Sequence, residues 1–252
     1  MTASAAEQFY AELHSELLAE YAGETEEPWV AQRLDRVMAR LNGVRQDGIP
    51  LVAHCLRIPA FTAFTVPGRN LYIARQLLER LPSDECAAFV LGHEVAHHDL
   101  GHLEVFHSWL DILPRGTLGL VVGSVVWKVS HRLYGPEREC QADQYAVEVC
   151  LDAGFDGALC LQAFDILENE SLHRGDIDGV FGPENLLDPT DPGQGSLAYQ
   201  AQRWLWSRAR RYLPLRERRE IAWTFYRRRL IERADALAAR PVRRTSERTK
   251  PS

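Results

Sequence analysis

Apolar residues recur at helical spacing over 5–21 and again over 29–41, and the acidic breaker Gly23-Glu24-Thr25-Glu26-Glu27-Pro28 parts the two stretches. The period then changes. Residues 50–58 and 61–73 are rich in β-branched and aromatic side chains, with Pro59 and Pro67-Gly68 as punctuation. They predict a small antiparallel sheet of about three strands. A short helix over 74–81 leads into a longer one over 83–103, and further helices are expected at 136–153 and 157–170. Residues 175–195 are rich in Gly, Pro and Asp, as a long irregular loop would be. Two more helices, over 197–212 and 214–239, precede a tail at 241–252 that predicts disorder. The expected architecture is α+β and mainly helical. N-terminal helices over 1–43 pack on a core domain spanning 44–239, and a basic tail follows over 240–252. No internal repeat is visible.

One apolar stretch needs separate weighing. The uncharged run 116–127 lies between Arg115 and Lys128 and has 12 residues. A spanning helix needs about 20. The run therefore predicts a core helix, with a resting place against a membrane or a partner as the second reading.

The chemistry is concentrated in His93-Glu94-Val95-Ala96-His97. Two histidines four apart on a helix stand one turn above the other, so both imidazoles reach one cation. Zinc accepts such tetrahedral nitrogen and oxygen donors, and Glu94 is placed to deprotonate a bound water. The motif alone is weak, since chance produces it in roughly a few per cent of chains of this kind. Context decides. A metzincin would carry Gly three residues after His97 and His six after it, where this chain has Leu100 and Leu103. A gluzincin takes its third ligand from a Glu on another helix, often within E-x-x-x-D. Glu139-Cys140-Gln141-Ala142-Asp143 offers that pattern, with Glu139 lying 42 residues (139 − 97) beyond His97. Glu139 and Asp143 share a helical face, so one can bind metal while the other accepts the outer N–H of a ligand histidine. Glu137 is a rival but would face away from Asp143, and Cys140 points about 100° away from Glu139, as a packing residue would. His98 and His102 read as solvent-facing or helix-capping.

These motifs resemble the HtpX and CAAX-prenyl-protease group of zinc metallopeptidases, family forty-eight of the gluzincin clan. Thr62-Ala63-Phe64, Val66-Pro67-Gly68 and Asn70-Leu71-Tyr72-Ile73 look like that family's Asn-Ala-Phe, Pro-Gly and edge-strand sequence. Leu81-Pro82-Ser83-Asp84-Glu85 resembles its lead-in to the active-site helix, His102 matches a frequent later histidine, and Ala153-Gly154-Phe155-Asp156 resembles the turn after its third-ligand helix. The likeness covers roughly 44–170. Thr62 replaces the family's usual Asn, and Tyr212 stands where a late motif ending in Arg218 would have His.

The resemblance implies a zincin-type metalloendopeptidase with its sheet beside the active-site helix. One zinc per chain would be held by His93, His97 and Glu139, with Asp143 behind a histidine and Glu94 as base and then acid. An extended protein or peptide substrate would lie along the edge strand at 70–73, near Asn70 and Tyr72. Tyr212, Arg218 and His131 are the candidates for stabilising the oxyanion. Two other classes remain in view: a latent gluzincin-fold binding or chaperone-like module, and a membrane-surface adaptor using the basic C-terminal region.

Composition narrows the setting. With 252 residues, 46% hydrophobic and 25% charged, the chain is an ordinary globular protein. The N-terminal helix carries Glu7, Glu12, Glu16 and Glu20 and lacks the basic and apolar regions of a secretory signal. Five cysteines without C-x-x-C pairing (Cys55, Cys86, Cys140, Cys150, Cys160) read as reduced thiols of a cytoplasmic protein. The net charge of −6 is uneven: residues 201–252 hold 16 basic against 5 acidic groups, +11, leaving −17 for the rest. The preferred reading is a helical C-terminal part with a solvated arginine face, with packing on the acidic body as a further option. Clustered Arg beside Trp204, Trp206, Trp223 and Tyr226 would also suit an anionic lipid surface, and nucleic acid is the weaker partner of the two.

Overall fold

The computed structural model describes residues 5–20, 27–46, 48–57, 61–104, 135–173 and 213–239. Helix α1 (Ala5–Glu20) and helix α2 (Pro28–Asn42) come first. Pro28 opens α2, where a missing N–H costs nothing. Val30, Leu34, Val37, Met38 and Leu41 form the single buried stripe expected of a helix lying on a core.

Three strands follow: β1 (Val52–Leu56), β2 (Ala63–Thr65) and β3 (Asn70–Ala74). The sheet is mixed, which corrects the antiparallel expectation. The order is β1-β3-β2; β2 pairs antiparallel with β3 through the Pro67-Gly68 turn, while β1 runs parallel to β3 on its other side. The central place falls to β3 because Leu71, Tyr72, Ile73 and Ala74 are all buried. Such an uninterrupted apolar run suits a strand covered on both faces better than an edge.

Short α3 (Arg75–Arg80) leads to α4 (Asp84–Asp99). Ser83 caps α4 by accepting from Cys86 N, and Asp84 and Glu85 favour the positive end of the helix dipole. Arg33 of α2 clamps that end, donating to Leu78 O (2.8 Å) and Leu81 O (2.9 Å) and pairing with Asp84. The other end is held as firmly. Asp99, unfavourably placed at a helix C-terminus, is offset by Arg45 Nη2 at 2.6 Å and by the Tyr145 hydroxyl at 2.5 Å. Every residue from Cys86 to His97 is buried, so α4 is the central rod of the molecule.

Helix α5 (Gly135–Asp152) packs closely along α4. Its buried residues Glu139, Ala142, Asp143, Ala146, Val149 and Cys150 form one stripe. The crossing is tight at Gly92, where a Cβ would lie 3.3 Å from Val149 Cγ1 and 3.5 Å from Ala146 Cα. A methyl at position 92 would have to push Val149 aside by a few tenths of an ångström, so glycine eases the close approach beside His93. Gly154, at φ 77°, turns the chain into α6 (Gly157–Cys160), capped by Asp156, and α7 (Ala163–His173).

Helix α8 (Leu215–Ala238) lies against α5 and α7. Its arginines meet the acidic body: Arg219 pairs with Asp165 (2.6 Å), Arg233 with Asp152 (2.5 Å) and Arg229 with Glu148. These half-exposed pairs each contribute at most about 1 kcal/mol. They match the charge asymmetry expected from the sequence. The apolar run 116–127, the loop at 175–195, the helix expected at 197–212 and the tail at 241–252 lie outside the described residues. Among the described residues, no helix is long and apolar enough to cross a membrane. All five cysteines are free, four of them buried.

Candidate metal centre

Helix α4 presents His93 and His97 on one face, and α5 brings Glu139 across to them. His93 Nε2 lies 3.2 Å from His97 Nε2, 3.4 Å from Glu139 Oε2, and His97 Nε2 lies 3.7 Å from Glu139 Oε1. Donors about 2.0–2.1 Å from a tetrahedral zinc stand roughly 3.3–3.4 Å from one another. The two shorter separations are close to that edge length, and the 3.7 Å contact of His97 is to the other oxygen of the Glu139 carboxylate. His93, His97 and Glu139 are also the group whose ligand atoms all lie within 4.8 Å among the described residues. Both oxygens of Glu139 are buried without an aligned hydrogen bond, although Arg218 Nη1 stands 2.9 Å from Oε2. A buried carboxylate left so incompletely satisfied, facing two imidazole nitrogens, is suited to a cation.

Each histidine is oriented from behind, by different means. Asp143 Oδ1 lies 3.0 Å from His93 Nδ1 and accepts its proton, which turns Nε2 toward the centre. Asp143 is held in turn by Arg218 of α8, whose Nε and Nη2 donate to its two oxygens at 2.7 Å each. His97 Nδ1 faces His102 Nδ1 at 2.9 Å, and His102 Nε2 faces Gln141 Oε1 at 3.2 Å.

The electrostatics follow from burial and these neighbours. Burial opposes charge on His93, but Asp143 and Glu139 outweigh it and push the imidazole up to about 10. The field thus favours positive charge at this point. His97 is held well below the ordinary histidine range by burial and then by His93. Burial would raise Glu139, yet Arg218 and then His93 hold it well below the usual carboxylate range. Glu94 is different. Burial pushes its carboxyl up to about 7, with His93 pulling the other way.

Comparison with known proteins agrees with this geometry. Residues 24–192 match the model of Peptidase family M48. The chain belongs to that family. M48 is a family of metallopeptidases, generally using zinc, and the match takes in both the histidine pair and Glu139. A segment of 81 residues is 27% identical to "Metalloendopeptidase OMA1, mitochondrial" of Homo sapiens, covering 32% of this chain and 15% of that protein.

Several residues expected near substrate are elsewhere. The strand at 70–73 is not an M48 edge strand here, because β3 is flanked by β1 and β2 and has no open side. Tyr72 is fully buried, stacked on Phe64 with ring centres 5.0 Å apart, and its hydroxyl meets His14 Nδ1 of α1 at 2.9 Å. A peptide cannot reach it. Asn70 Oδ1 is engaged by His54 Nε2 at 2.9 Å, on the β1 side of the sheet. Arg218 is near the centre but turned to Asp143 and Glu139, so its guanidinium braces the site. Tyr212 and His131 lie outside the described residues. Glu137 is exposed, and Cys140 takes no place among the three donors.

His102 and Gln141 are contributors that sequence reasoning assigned to solvent or capping, or passed over. His102 is 3% exposed. The signal that could have found it is Gly101, whose φ of 68° ends α4 in a left-handed turn. His102 N then donates to His97 O and Gly101 N to His98 O, folding residue 102 back beneath His97.

Proposed function

We propose that this chain is a zinc-dependent endopeptidase with His93, His97 and Glu139 as metal ligands and Glu94 as the proton carrier. The observation that carries the reading is the convergence of two Nε2 atoms and one carboxylate, all buried, beside a second buried carboxyl, that of Glu94, raised to about 7. When bound, zinc supplies an acidified water and a Lewis-acidic point for the scissile carbonyl. Glu94 would hold the proton given up by the attacking water and pass it to the departing amine. A carboxyl whose affinity for protons lies near neutrality is suited to both steps. Asp143 keeps the His93 proton on Nδ1, and Arg218 holds Asp143 in place through two hydrogen bonds.

The edge strand that packs on α4 is β2 (Ala63–Thr65); its three residues are buried, so backbone pairing with an extended peptide there would require that edge to be uncovered. An extended protein or peptide is the substrate class. The catalytic unit is taken as 44–239, with 1–43 packed on it and 240–252 as a tail. With Arg218 committed to bracing, Tyr212 and His131 stand as candidates for the oxyanion. A peripheral membrane contact and a cytoplasmic setting belong to the same reading; nucleic acid does not.

The test is metal analysis of the purified chain together with cleavage of casein and a peptide library. Wild type should hold about one zinc per chain and cleave. Glu94→Gln should keep the zinc and lose cleavage by roughly 100-fold or more. Full activity in Glu94→Gln would overturn the mechanism.

A further inference from the structure

We propose that His102 is a positioning residue that makes His97 a metal donor, through a neutral relay running from Gln141 to His102 to His97. The inference rests on the zinc-site reading above and adds a residue to it. Two imidazole nitrogens 2.9 Å apart, as His97 Nδ1 and His102 Nδ1 are, share one proton between them. Its owner is decided one step away. Gln141 presents Oε1 to His102 Nε2 at 3.2 Å, and an amide oxygen only accepts. His102 therefore carries its proton on Nε2 and offers a lone pair at Nδ1. His97 must then hold its own proton on Nδ1, and its Nε2 lone pair faces His93 and Glu139. In the opposite arrangement His97 would aim an N–H at His93 Nε2, 3.2 Å away, and close the donor set.

Packing alone does not explain a histidine here. The residue is almost wholly buried, at the turn set by Gly101, where an apolar side chain would fill the same space without needing partners. Both ring nitrogens have partners, and one of those partners is a ligand. The neutral character also suits the charge balance. Glu139 and Asp143 already share Arg218, with Glu94 buried on the same helix as His93, and a further carboxyl behind His97 would add repulsion. The centre thus has one ligand backed by a carboxylate and one backed by an imidazole.

The experiment measures zinc affinity by competition with a chromophoric chelator, and nitrogen-15 imidazole spectra of the full chain with zinc. His102→Leu should weaken zinc binding roughly 10–100-fold. His102→Asn, whose side-chain oxygen can accept the His97 Nδ1 proton, should recover most of that loss. In wild type the spectra should show His97 protonated on Nδ1 and His102 protonated on Nε2. A His102→Leu protein that binds zinc as wild type does, an Asn variant no better than Leu, or His102 protonated on Nδ1 would each overturn the proposal. Should His102→Leu not fold, His102→Asn and the wild-type spectra carry the same decision. A wild type that binds no zinc would overturn the zinc-site reading itself, and this inference with it.

Discussion

The two histidines of the centre stand 3.2 Å apart on one helix, yet the regions behind them differ in kind. Behind His93 the brace is charged and distant in sequence: Asp143 comes from α5 and Arg218 from α8, 75 residues further along. Behind His97 it is neutral and mostly local: His102 lies five residues away, on the turn that ends the same helix. A charged brace in a dry interior is strong only while every partner is present, since removing one leaves an uncompensated charge. A neutral brace is weaker and fails more gently. The difference predicts how each side responds to damage.

The largest effect is expected on the charged side. Arg218→Met leaves Asp143 and Glu139 buried without their countercharge, and the metal-free protein should lose about 3–5 kcal/mol. Zinc would then supply part of the missing positive charge. Thermal unfolding with and without zinc should show a larger gain in Tm for Arg218→Met than for wild type. Equal gains would break the contrast drawn between the two sides.

Glu94 sharpens it through pH. Its carboxyl is raised by burial from the ordinary 4.5 to about 7 in the metal-free protein, so the folded state holds the proton more tightly than the unfolded chain. That contribution is fully present below about 4.5 and is lost as pH rises through about 7, on the order of a few kcal/mol at ~1.4 kcal/mol per pH unit. Glu94→Gln has no charge to bury. Metal-free Glu94→Gln should therefore match wild type in Tm near pH 5 and exceed it at pH 8; a constant difference across that range would contradict the burial argument.

A smaller effect is expected at the neutral side's turn. Gly101 and Gly154 both adopt left-handed backbone, at φ 68° and 77°. A Cβ would meet only a flexible side-chain end in each case, Glu104 Oε1 at 3.3 Å or Arg40 Nη2 at 3.6 Å. Alanine at either position should cost about 1–2 kcal/mol from backbone conformation. Only Gly101→Ala should also weaken zinc binding, because only that turn carries a ligand's brace. The smallest effect is at Glu137, which is exposed: Glu137→Gln should leave zinc affinity within about 0.5 kcal/mol of wild type, whereas Glu139→Gln should not.

Helical period made much of the site legible. His93 with His97, and Glu139 with Asp143, are i, i+4 pairs whose shared faces follow from 3.6 residues per turn whatever the surroundings. The same arithmetic explains why His102 was misplaced. On a helix continued to residue 103, position 102 lies about 140° around from His97 and faces away from it. Gly101 stops the helix first and returns the chain. The sheet shows a similar limit. The apolar run at 71–74 and the Pro67-Gly68 turn were visible, but which strand takes the middle depends on what packs on each face, and that made β3 central and Tyr72 inaccessible.

By itself the sequence determined most of the described elements, the i, i+4 pairs and the peptidase family, because backbone period, capping and turn chemistry act over a few residues. Only the tertiary structure decided that α4 and α5 cross at Gly92, that Arg218 reaches Asp143 across 75 residues, and that His102 rather than a carboxylate stands behind His97. Those contacts depend on which buried charges and lone pairs can be satisfied together in one interior. No local pattern carries that information.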